Sequence, residues 1–110
     1  MKEYRIDFTL QAKEHLKDIY DYIKNELCAP IAARRGVSLI KAEIASFKTA
    51  PERLQLVSEE PWTSQGVRRA RVKNYYIYYL VDNENKLVHV IGIIYTRREQ
   101  ARQLEELDIE

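Results

Sequence analysis

The chain has 110 residues, 45% of them apolar, with 18 lysines and arginines against 17 aspartates and glutamates. This is the size of one domain with a modest core, and the charge is so balanced that any affinity for nucleic acid must come from local clusters of cations. The single cysteine, Cys28, excludes an internal disulfide and a multi-thiolate metal site. The opening MKEYRIDFTL has no apolar signal core and no run is long enough to span a membrane, so a cytoplasmic protein is expected.

Tyr4, Ile6 and Phe8 alternate with Arg5 and Asp7, which predicts an edge strand with one buried face. Thr9 follows as a helix N-cap. Behind it, Ala12, Leu16, Ile19, Tyr20, Ile23 and Leu27 recur at helical spacing, opposite a solvated face of Lys13, Glu14, Lys17, Asp18, Asp21 and Lys24. Lys17 and Asp21 stand one turn apart and can pair. Pro30 cannot continue this helix but suits the first turn of another, which makes Cys28-Ala29 a tight connection and the pair a helical hairpin. Ala33, Val37, Ile40, Ile44 and Phe47 form the second stripe. Gly36 in its middle costs about 1 kcal/mol relative to Ala unless close helix packing offsets it. Residues Pro51 to Gly66 are irregular by composition; Leu54, Leu56 and Val57 can pin them, and Trp62 can close one end of the core.

The organising stretch is Gly66 to Arg98. Val67 to Lys73, Tyr76 to Val81 and Leu87 to Tyr95 are rich in β-branched and aromatic residues, and turn-prone Lys73-Asn74 and Asp82 to Asn85 separate them. Links this short join only neighbouring antiparallel strands, so a three-stranded meander is expected, its middle strand apolar on both faces and central. The first strand sets Arg69, Arg71 and Lys73 on one face and Ala70 and Val72 on the other. Arg68 to Lys73 holds four cations and no acid, which would serve either to bind an anionic partner or to shield the sheet from edge pairing. After Arg98, a short terminal helix would carry Ala101, Leu104 and Leu107 on one face and needs a partner surface. With three glycines, three prolines, no low-complexity tract and no repeat, residues 1–110 form a single α+β domain, a helical hairpin packed on one face of a single antiparallel sheet.

The order strand, two helices, three-stranded meander, together with RRARVKNYYIYYLVD and VIGIIYTRRE, resembles the RelE/ParE family of bacterial type II toxins over nearly the whole chain. The most specific parts are the arginine-bearing strand running through an Asn-Tyr turn into an aromatic strand, Arg69 to Tyr79, and the close on Arg97-Arg98-Glu99. The resemblance implies the toxin of a toxin–antitoxin (plasmid stabilisation) system, causing growth inhibition and neutralised by a cognate antitoxin, with no cofactor and no metal. RelE-like members cut mRNA in the ribosome, whereas ParE-like members poison DNA gyrase by binding. Where the nucleases carry an arginine after the turn tyrosine this chain has Tyr76, no histidine stands near Arg97, and their lysines have no match in Pro51 to Gly66. The ParE-like ending of histidine, glycine, two arginines and an acid fits better, with Tyr95 and Thr96 in its first two places.

The resemblance therefore implies gyrase inhibition by binding and no enzymatic activity. A ribosome-dependent endoribonuclease remains open, with Arg71, Tyr95 and Arg97 as catalytic candidates, and so does a member that binds its antitoxin without toxicity. The target surface is expected at Arg69, Arg71, Lys73, Arg97 and Arg98. The antitoxin surface is expected at Tyr20, Tyr22, Leu104 and Leu107, with weak self-association of the free toxin. His15 and His89 are expected to be packed or surface residues, not bases.

Overall fold

The computed structural model describes residues 3–58 and 60–96. Strand β1 (Arg5–Phe8) leads into helix α1 (Leu10–Asp21), a π-helical turn (Tyr22–Glu26) and helix α2 (Pro30–Ala45), followed by 3-10 turns at Ser46–Lys48 and Pro51–Arg53. Strands β2 (Arg68–Val72), β3 (Tyr75–Asp82) and β4 (Leu87–Tyr95) complete the chain of elements. The expected terminal helix, with Leu104 and Leu107, lies outside the described residues.

Local chemistry fixes most boundaries. Thr9 is extended (φ −69°, ψ 159°), and its hydroxyl accepts from the Ala12 amide at 3.1 Å, a cap worth about 1 kcal/mol. The first helix was expected to keep its apolar stripe to Leu27, but α-helical bonding ends at Asp21 and widens into the π turn. That turn carries Leu27 off the stripe, leaving it 56% exposed, and Tyr22 at its start is 54% exposed. Cys28 then takes a left-handed conformation (φ 50°), and Pro30 occupies the first turn of α2. Gly36 is not required by close packing: a Cβ there would meet Ile23 Cδ1 at 3.8 Å, an ordinary contact.

The strands form one sheet in the order β1-β4-β3-β2. It is mixed, not wholly antiparallel. The meander is antiparallel as expected, but β1 pairs parallel with β4, Phe8 lying opposite Val90. A parallel pair needs a long crossover, which the helical hairpin and everything after it supply. Tyr78 lies opposite Gly92 and Tyr79 opposite Val90, so Ile91 is an extra residue in β4. This bulge switches which face successive side chains meet, and so the whole run Val88 to Ile94 except half-buried His89 is buried.

Both faces carry a core. On the helix face, Ala12, Ile40, Ile44 and Phe47 pack on Ala70, Ile77, Tyr79, Val88, Val90 and Ile93. Phe47 and Tyr79 stack with centroids 4.1 Å apart, and the Tyr79 hydroxyl donates to the Pro51 carbonyl at 2.7 Å. Burial pushes that hydroxyl up to about 12, against the opposing fields of Arg68 and Arg53. On the other face, Val57, Trp62 and Val67 pack on Tyr78, Ile91 and Ile94. Trp62 therefore closes a second face and not an end of the first core. Its loop is tied down by the Val57 amide on the Val67 carbonyl (2.8 Å) and the Val67 amide on the Trp62 carbonyl (3.0 Å). The Arg68 guanidinium also donates to the Leu54 carbonyl (2.5 Å) and stands 3.7 Å from the Glu52 carboxylate.

Candidate functional site

The loop carrying Trp62 covers only part of its face. Beyond it, at the β2–β3 hairpin, alternation along β2 turns Ala70 toward the helices and Arg69 and Arg71 away from them. Arg71 lies directly across from Tyr76, which lies across from Ile94, while Arg69 pairs with Tyr78 and is diagonal to Tyr76. The Tyr76 ring leans between the two arginines: the Arg69 guanidinium carbon lies 4.2 Å and that of Arg71 5.9 Å from its centroid. Tyr76 also meets Tyr78 edge-on at 6.2 Å. Arg71 Nε donates to the Lys73 carbonyl at 3.0 Å, across a turn in which Lys73 has a positive φ of 52°. Among the described residues no carboxylate pairs with Arg69 or Arg71. Arg68 is the contrast, since its charge is spent on the loop.

Tyr95 belongs to the next row of the sheet. It lies across from Tyr75, with rings 5.5 Å apart, and Tyr75 packs on the helix-side core. Arg71 and Tyr95 therefore stand on opposite faces. Arg97 and Arg98, sequence candidates for target contact and, for Arg97, catalysis, lie outside the described residues.

The histidines are engaged elsewhere. Because β1 stops at Phe8, the outer edge of β4 beyond Val90 would be open, and α1 covers it. The Thr9 hydroxyl donates to the Ile91 carbonyl at 3.4 Å, and His15 Nδ1 accepts from the Ile93 amide at 3.1 Å. Desolvation holds the His15 pKa below its ordinary value, with Asp18 and Glu14 opposing. His89 lies across from Asp7 on β1, Nδ1 to carboxylate 3.9 Å, among partly exposed side chains.

Along the hairpin, Phe8, Leu16, Tyr20 and Val37, with Lys13, Lys17 and Lys41, line a shallow groove of about 470 Å³, and Lys17 stands 3.3 Å from the Asp21 carboxylate as its spacing predicts. Tyr20 lines it with Lys24 Nζ 5.7 Å above its ring, while Tyr22 is exposed on the π turn. Sequence reasoning named Tyr20 and Tyr22 for a partner surface, of which only Tyr20 lines the groove, and did not name the lysines, because Lys13 and Lys17 read as part of a solvated face. It also missed the stack of Arg69 and Arg71 on Tyr76, although the two-residue turn already sets the strand register that brings them together.

Residues 6–100 match the family model of the ParE toxin of type II toxin–antitoxin systems. The chain belongs to that family. Among curated proteins none matches it. A chain of the chromosomal ParDE system of P. aeruginosa superposes with a TM-score of 0.72 at 20% identity, covering 86% of this chain and 98% of that one. A chain of the RelBE2 toxin–antitoxin complex of Mycobacterium tuberculosis gives 0.61 at 19% identity, covering 86% and 93%. The isolated RelE toxin of E. coli gives 0.57 at 16% identity, covering 94% and 95%. At these identities the likeness is one of fold, shared by the ParE and RelE branches.

Proposed function

We propose that this ParE-family toxin acts by binding DNA gyrase and not by cutting RNA. The observation that carries the reading is the separation of the two described catalytic candidates: Arg71 and Tyr95 occupy opposite faces of the sheet, and the two histidines, His15 and His89, are engaged at its β1 side. Cleavage through a 2′-hydroxyl needs a base, an acid and cations converging on one phosphate within hydrogen-bond reach. A binding surface needs no such convergence, and Arg69 and Arg71 offer one that no carboxylate among the described residues occupies. The match to the ParE family model adds to this reading.

The second partner is a cognate antitoxin. Two of the structural relatives are chains of toxin–antitoxin systems, and the groove between α1 and α2 has the chemistry for an amphipathic helix with acidic flanks: apolar side chains and three lysines.

The test uses purified toxin in a gyrase supercoiling assay beside toeprinting on translating ribosomes, with growth followed after induction without antitoxin. Inhibited supercoiling, intact mRNA and arrested growth are expected. Cleavage inside the A-site codon would establish the ribonuclease reading instead, and unimpaired growth would leave a protein that only binds its antitoxin.

A further inference from the structure

We propose that Tyr76 is a positioning residue that presets Arg69 and Arg71 as a paired guanidinium clamp for carboxylates on an acidic protein surface. This rests on the binding reading above and names the chemistry of the face that does the binding. Position 76 holds the ring over which Arg69 lies, with Arg71 at its margin. Tyr76 is itself held, edge-on against Tyr78 and packed on the core that includes Ile94 and Trp62. Arg69 lies over its face at 4.2 Å, and Arg71, at 5.9 Å, is tethered by Nε to the Lys73 carbonyl. Among the described residues the outer nitrogens of Arg71 meet no carboxylate, and they can take a planar anion in the forked geometry that guanidinium and carboxylate share. Arginine side chains lose rotamer freedom on binding, and stacking them beforehand removes part of that cost.

Protein carboxylates fit this site better than a nucleic-acid backbone. Affinity for a phosphate chain grows with the number of phosphates neutralised along a track of cations. Among the described residues this face offers two guanidiniums and the nearby Lys73, on a nearly neutral molecule. A compact pair of this kind suits a small acidic patch.

The experiment compares wild type, Tyr76→Phe and Tyr76→Leu as full-length proteins in the supercoiling assay and in induced growth inhibition, with far-UV circular dichroism as the check on folding. The Arg69 Nε–Hε NMR resonance reports the stack directly. Phenylalanine keeps the ring face and should stay within about twofold of wild type, while leucine keeps apolar bulk without it and should lose on the order of tenfold, with the ring-current shift of Arg69 abolished. Leucine matching wild type in inhibition would overturn the positioning role. If wild type leaves supercoiling untouched, the gyrase reading fails separately, and the Tyr76 role is then judged on growth inhibition and the Arg69 resonance in the same series. A single-stranded DNA oligonucleotide serves as the competing probe. Binding tighter than to gyrase, and weakened by Tyr76→Leu, would overturn the assignment to protein carboxylates.

Discussion

The two faces of the sheet are built from the same strands and finished in different ways. One is covered by two helices whose stripes bring Ile40, Ile44 and Phe47 onto Ile77, Tyr79 and Val90, and its polar atoms are matched, as the Tyr79 hydroxyl on Pro51 shows. The other is covered by a loop that seats Val57 and Trp62 and meets β2 through the Arg69 amide on the Gln55 carbonyl (3.4 Å), leaving Arg71 exposed and Arg69 and Tyr76 half-buried at its margin. The first face supplies stability. The second ends in two cations beside a tyrosine ring, the group on which the proposed docking rests.

Truncation should separate the faces most sharply. Phe47→Ala removes a fully buried ring stacked on Tyr79 and should cost about 4 kcal/mol in urea unfolding; Trp62→Ala, on a loop that can collapse into the gap, should cost about half of that. Equal costs would mean that the loop-side core is as unyielding as the helical one. Tyr79→Phe orphans the buried Pro51 carbonyl and should cost about 1–2 kcal/mol. Because the Tyr79 pKa is raised, the unfolded chain ionises first, so wild type should lose stability as pH rises from about 10 to about 12, and the variant should lose less.

Smaller effects test how the helices sit on their face. Gly36→Ala should stabilise the protein by about 0.5–1 kcal/mol, since the added methyl meets only Ile23 at ordinary contact distance; destabilisation would show that α1 and α2 pack closer in solution. His15 must stay neutral at Nδ1 to accept from Ile93, and its pKa is lowered in the fold. Below about pH 6.5 the unfolded chain takes up a proton that the folded chain resists, so this contribution is complete above that pH and is lost as pH falls. His15→Gln keeps an acceptor and removes the titration, so the melting temperature should fall less steeply with acidification than in wild type.

Elements that depend on neighbouring residues were legible in the sequence. The Tyr4 to Phe8 alternation, the Thr9 cap, Pro30 at the start of α2 and the short turns of the meander each state a local preference that packing keeps. What escaped was set by distant contacts. Nothing in Arg5–Phe8 says that it runs parallel to β4, and nothing in Val88 to Ile94 marks Ile91 as the bulge. Trp62 looked like a plug for an end of the core because composition does not reveal which face an irregular segment crosses. For the site, parity placed Arg69 and Arg71 on one face, but the role of Tyr76 between them depends on ring orientation, which spacing alone does not fix. His15 gave no signal, since its partner is a backbone amide 78 residues away.

The claim that the cationic end of the loop-covered face is the working surface is tested most directly by Arg69→Ala combined with Arg71→Ala. Growth inhibition on induction and gyrase inhibition in vitro should both fall by on the order of tenfold or more, while the affinity for the antitoxin, for which the α1–α2 groove is the proposed site, stays within about twofold. Unchanged toxicity, or equal loss of toxicity and antitoxin binding with the fold intact, would contradict it.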